Sequence, residues 1–120
     1  MLLHIGSAGS SFKLWNSISH NSILVSIDGN NSLNIYKKFK KVINNETIIS
    51  DKNGSGKFYI TNDPHCSSIL EPDKLIHENW YGSHRFKINK IINKKMYTLN
   101  SFLKNEKLDY IDWLVTDIQG

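Results

Sequence analysis

Three times along this chain a short apolar run stops at a glycine or an aspartate, and that recurrence narrows the candidate folds sharply. Residues 2–5 (Leu-Leu-His-Ile) stop at Gly6. Residues 22–27 (Ser-Ile-Leu-Val-Ser-Ile) stop at Asp28-Gly29-Asn30. Residues 110–115 stop at Thr116-Asp117-Ile118-Gln119-Gly120. β-Branched runs suit extended backbone, and Gly/Asp clusters suit tight turns. Between the runs lie amphipathic stretches. Ser10 and Ser11 can cap a helix using Phe12, Leu14 and Trp15; Asn31 and Ser32 can cap another through Leu33, Ile35, Tyr36 and Phe39. Strand, glycine turn, helix, strand, acidic turn, helix, strand is the order of an open, mostly parallel α/β sheet. Ligands of such sheets bind beyond the carboxyl ends of the strands. Residues 6–11, 28–30 and 117–120 are therefore the expected site.

The middle of the chain reads differently. Residues 42–49 predict a strand, and residues 51–56 a tight turn into the alternating strand 57–61. Alternation returns over 86–92, so an inserted β-hairpin is expected. Asp63-Pro64 opens a loop through Ser67 and Ser68, Pro72 suits the first turn of a short helix ending near His77, and residues 98–103 suit another. Trp15, Trp80, Trp113, Tyr81 and Tyr110 read as core or half-buried packing residues.

Composition removes several function classes. With 120 residues there is room for one domain, 39% hydrophobic and 22% charged, the balance of a globular protein. No run approaches the roughly 18 apolar residues of a membrane helix. A single cysteine, Cys66, excludes an internal disulfide and fits a reducing cytoplasm. The net charge of +4 raises a nucleic-acid reading. Lys37, Lys38, Lys40 and Lys41, then Lys87, Lys90, Lys94 and Lys95, form two clusters without interleaved arginine. They read as a solvated helix face and a solvated loop, so no nucleic-acid partner is expected. His4, His20, His65, His77 and His84 lack metal-ligand spacing, and no metal is expected. Nothing local would activate Cys66, and Ser67-Ser68 lacks a nucleophile elbow.

Gly6-Ser7-Ala8-Gly9 follows the first strand, where glycine lets a ligand approach the backbone and a helix start favours an anion. The third glycine of a dinucleotide fingerprint is missing. Asp28 ends the second strand about 20 residues on, where a carboxylate can accept both hydroxyls of a ribose; its plainer reading is a turn residue. Asp117 ends the last strand and would face the same crevice.

The motifs His-Ile-Gly-Ser-Ala-Gly, Ser-Ile-Asp-Gly-Asn, Cys-Ser-Ser-Ile-Leu-Glu-Pro, Tyr-Thr-Leu-Asn-Ser-Phe-Leu and Ile-Asp-Trp-Leu-Val-Thr-Asp-Ile-Gln-Gly, in this order, resemble the FkbM family of S-adenosylmethionine-dependent methyltransferases. The resemblance implies a Rossmann-like class I methyltransferase fold over residues 1–120 as a single partial domain. It implies S-adenosyl-L-methionine as cofactor and O-methylation of a small-molecule or carbohydrate hydroxyl. Gly6, Ser7 and Gly9 would wrap the methionine end of the cofactor, and Asp28 with Gly29 would hold its ribose. Asp117 would lie beside cofactor and acceptor as the candidate base. Ser67, Ser68 and Gln119 would contact the acceptor. The chain departs from the family at His4, which stands where an acidic residue is usual, and at Asp28-Gly29-Asn30, which replaces an acidic-Pro pair. It stops after the fourth core strand, so the resemblance predicts the cofactor-binding half of a longer protein, with little turnover alone. A non-catalytic, degenerate methyltransferase-like module and a nicotinamide-dependent oxidoreductase remain alternatives. The oligomeric state is not legible.

Overall fold

The computed structural model describes residues 1–7, 12–30, 38–73 and 80–118. Its strands are β1 (Leu2–Ile5), β2 (Ile23–Ile27), β3 (Lys41–Asn45), β4 (Ile48–Ile49), β5 (Gly54–Thr61), β6 (Ile88–Tyr97) and β7 (Trp113–Thr116). Among the described residues one α-helix, α1 (Leu99–Asn105), precedes β7. The strands form two sheets, one ordered β3-β2-β1-β7 and one ordered β4-β6-β5. Every pairing in the first sheet is parallel, with Leu3 opposite Val25 on one side and Leu114 on the other. The expected parallel α/β sheet is present, with few helices among the described residues.

Burial explains why β1 and β2 sit in the middle. All four residues of β1 and the last four of β2 are buried, the mark of a parallel strand covered on both faces. Side chains alternate across the sheet. Leu3, Ile5, Val25 and Ile27 meet Phe102 of α1 on one face; Leu2 and Leu24 meet Trp15 on the other. Thr98 caps α1 by accepting from the Ser101 amide at 3.2 Å, which aims Phe102 into the core. Burying that ring is worth about 2–3 kcal/mol.

The helix expected around Phe12, Leu14 and Trp15 is instead two 3-10 turns, Lys13–Ser17 and Ser19–Asn21. Trp15 is fully buried and Phe12 packs against it half-buried, while Leu14 is exposed. Two serine hydroxyls also bond to backbone carbonyls, Ser19 to Asn16 at 3.0 Å and Ser22 to Ile18 at 2.8 Å. Such bonds offer the chain an alternative to the helical ladder. The helix expected from Asn31 falls mainly on residues 31–37, and much of the one after Pro72 on residues 74–79, both outside the described residues.

The single strand expected over 42–49 is divided. Asn44-Asn45-Glu46 are poor strand formers, and the chain leaves the first sheet there. Thr47 donates its hydroxyl to the Lys95 carbonyl at 2.9 Å, and β4 then pairs in parallel with β6. The expected hairpin is therefore part of a three-stranded sheet, whose β5–β6 ladder is antiparallel with an irregularity at Ile60/Thr61.

Two further expectations need correction. Lys90, Lys94 and Lys95 lie on strand β6, not in a loop, and Lys94 pairs with Glu46 at 3.0 Å. Of the five aromatics expected to pack, only Trp15 is core; Trp80, Trp113 and Tyr110 are exposed, and Tyr81 is 99% exposed. Trp113 lies on β7, at the end of the sheet order, and touches Trp15 only edge-on at 6.2 Å between ring centres. No helix among the described residues is long and apolar enough to cross a membrane.

Candidate functional site at the strand ends

From β1 the sheet grows to one side through β2 and β3, and to the other through β7. Such a reversal is a topological switch point, where a crevice opens at the carboxyl ends of the strands. Three backbone bonds carry the ladder one residue past each end. The Asp117 amide donates to the Ile5 carbonyl at 2.9 Å, Gly6 to Ile27 at 2.8 Å and Asp28 to Asn45 at 3.1 Å. These bonds hold three residues of the expected site in register.

Gly6 is required where it stands. Its φ is +77°, and a Cβ there would lie 1.9 Å from the Asp117 carbonyl oxygen. No side chain fits against that backbone, and the left-handed conformation disfavours one independently. A cavity of about 240 Å³ opens beside this contact. Gly6, Asp28 and Asp117 form its floor; Ser67, Ser68 and Arg85, from the long connection between β5 and β6, form its roof. Gly29 also lines it, and a Cβ at Gly29 would meet the Phe58 ring at 2.7 Å, so the glycine lets β5 close over the first sheet.

The other expected residues are placed differently. Ser7 is buried, 2.8 Å from the Ser26 hydroxyl, and is not among the residues lining the cavity. Gly9 and Gln119 lie outside the described residues. Asp28 is both a cavity residue and a turn residue, since one carboxylate oxygen accepts from the Asn30 amide at 2.7 Å. His4 is buried, with its ring edge-on to Trp15 at 5.9 Å; it belongs to the packing beneath β1 and not to the cavity wall.

Sequence reasoning missed Phe58, Thr47 and Arg85 at the cavity. Arg85 had one signal, as the only arginine in the chain. Its Nε donates to Asp63 at 2.8 Å, and Asp63 also accepts from the His65 amide at 3.0 Å. The Arg85 hydrogen bond, followed by that amide, holds the Asp63 carboxyl below its ordinary range. The Cys66 thiol is buried close by, and burial pushes its pKa up more than Arg85 pulls it down. A thiol so placed is a poor nucleophile. Among the described residues no three His, Cys, Asp or Glu side chains cluster as metal ligands do.

The cavity is chemically two-sided. Its floor offers carboxylate acceptors at two strand ends, and its roof offers hydroxyl and guanidinium donors. A ligand spanning it would present hydroxyl or cationic groups downward and acceptor groups upward. Compared with protein-family models, curated proteins and solved structures, the chain matches none.

Proposed function

We propose that this chain forms the cofactor-binding part of an S-adenosylmethionine-dependent O-methyltransferase of the FkbM type. One observation carries the reading: Gly6, Asp28 and Asp117, from three adjacent parallel strands, line one cavity at the switch point. The floor suits such a cofactor. Gly6 lets the ends of β1 and β7 approach, which brings Asp117 to the cavity, and the Asp28 carboxylate, which closes its own turn, can also accept from ribose hydroxyls. When bound, the cofactor would supply an activated methyl group on a sulfonium. The chain's own part is to orient the acceptor and to take a proton. Ser67 and Ser68 would position an acceptor hydroxyl, and most of the rate would come from that alignment. Asp117 would accept the hydroxyl proton as general base.

The test is calorimetry with S-adenosylhomocysteine and, separately, NAD. S-adenosylhomocysteine is expected to bind and NAD is not. Asp28→Asn keeps the turn-closing oxygen but loses the charge, and is expected to weaken S-adenosylhomocysteine about tenfold or more, the worth of a hydrogen bond to a charged group. NAD binding alone would transfer the site to a nicotinamide enzyme. Binding of neither would leave a non-catalytic module. In a turnover assay on a protein that includes this chain, Asp117→Asn is expected to abolish methyl transfer while S-adenosylhomocysteine still binds. Unchanged transfer would remove Asp117 from the mechanism.

A further inference from the structure

We infer that the roof of the cavity recognises an oxyanion on the acceptor, a carboxylate or phosphate, through Arg85 with the Ser67 hydroxyl. This rests on reading the floor as the cofactor's side. The chain holds fourteen lysines and one arginine, and among the described residues the arginine lines the cavity and no lysine does. Arginine differs from lysine in offering a planar fork that matches two oxygens at once.

The fork is held in place. Asp63 takes Nε at 2.8 Å, and the Asp63 amide donates to the Arg85 carbonyl at 3.1 Å. Next to them the Asn62 amide donates to Lys87 at 2.9 Å, and its side chain to the His84 carbonyl at 2.9 Å. These four bonds clamp the turn carrying Arg85 to the end of β5. With the ion pair made through Nε, the far edge of the guanidinium, Nη1 and Nη2, is left for a ligand.

Ser67 adds a second donor by elimination. Its oxygen accepts from the Thr61 amide at 3.2 Å. The Thr61 hydroxyl spends its proton on the Asp63 carbonyl at 2.7 Å and stands 3.5 Å from Ser67, too far for a normal O–H···O bond. Ser67 is therefore the donor in that long contact, and its weakly held proton can turn to a closer ligand oxygen. Two donors and two carboxylates lining one cavity describe a site for a bipolar ligand, anionic at the roof.

Titration with glucuronic acid, glucose 6-phosphate and neutral glucose, in the presence of saturating S-adenosylhomocysteine, tests this. At least one of the two anionic sugars is expected to bind ten times or more tightly than glucose, and which one does identifies carboxylate or phosphate as the group. Arg85→Gln is expected to remove that advantage while S-adenosylhomocysteine still binds within twofold, a result that also certifies the fold. Arg85→Lys, a point charge without the fork, is expected to fall between. Equal binding of all three sugars, or no binding of either anionic sugar, overturns the inference. So does a matching loss of S-adenosylhomocysteine affinity in Arg85→Gln, which would give the oxyanion to the cofactor's own carboxylate. Failure of S-adenosylhomocysteine to bind the unaltered chain is a different outcome and removes the underlying reading instead.

Discussion

The two sheets are built on opposite economies of burial. In the parallel sheet, β1 and β2 are sequestered on both faces, and their side chains make both apolar clusters. In the smaller sheet, burial gathers at one end of β5, in Phe58, Tyr59 and Thr61, with Met96 the one buried residue of β6, and Ile91 points to solvent. The first sheet supplies rigidity and the strand-end floor. The second combines an antiparallel ladder with partial packing, Ile49 and Tyr97 lying against the main core, and supplies the roof. Two buried strands thus carry Gly6 and Asp28, and a layer buried only in part carries Ser67, Ser68 and Arg85.

The contrast breaks most visibly at the core. Phe102→Ala is expected to cost about 3–5 kcal/mol in urea unfolding, because the ring fills the space between α1 and the parallel sheet. A loss below about 1 kcal/mol would mean that the helix is not seated there. Gly6→Ala is next, at about 2–4 kcal/mol, combining left-handed backbone strain with crowding against Asp117. On the other sheet, Ile91→Ala is expected to stay within about 0.5 kcal/mol. A cost comparable to Phe102→Ala would show that the face of the smaller sheet carrying Ile91 is covered.

The smallest effect is electrostatic. The Asp63 carboxyl titrates below its ordinary value of 3.8 in the folded chain, chiefly because Arg85 bonds to it. Its stabilising contribution is in place above that ordinary value and is lost as pH falls through the lower folded one. Asp63→Asn is therefore expected to unfold more readily than the unaltered chain at pH 6, with the gap closing below pH 3.8. A gap that persists in stronger acid would assign the effect to hydrogen bonding alone.

The parallel sheet was legible because its strands announce themselves locally. β1 and β2 are apolar runs closed by glycine and aspartate, and the floor residues Gly6, Asp28 and Asp117 follow from strand order alone. The roof was not legible. Arg85 reaches the cavity through a clamp between residues 62–63 and 84–87, a long-range pairing that no short motif encodes. The division of 42–49 was missed for a related reason. Its apolar spacing fits one strand, and only the partner strand β6 shows why the chain crosses to another sheet at Thr47. The 3-10 turns around Trp15 show the opposite failure: the helical spacing was present, but serine side chains claimed the carbonyls.

The passage of the chain from β3 to β4 has a kinetic consequence. It makes the cavity a seam between a slow layer and a fast one. Local opening of a sheet is governed by how little it buries, so the β5–β6 layer, buried only in part, is expected to open more often than β1 and β2. A molecule in the seam would leave when the fast layer opens, and its residence time would track that opening and not the unfolding of the core. It would also lend the fast layer part of its binding free energy. Amide exchange along β5 and β6 should then slow on loading, while β1 and β2 keep the pace they had when empty.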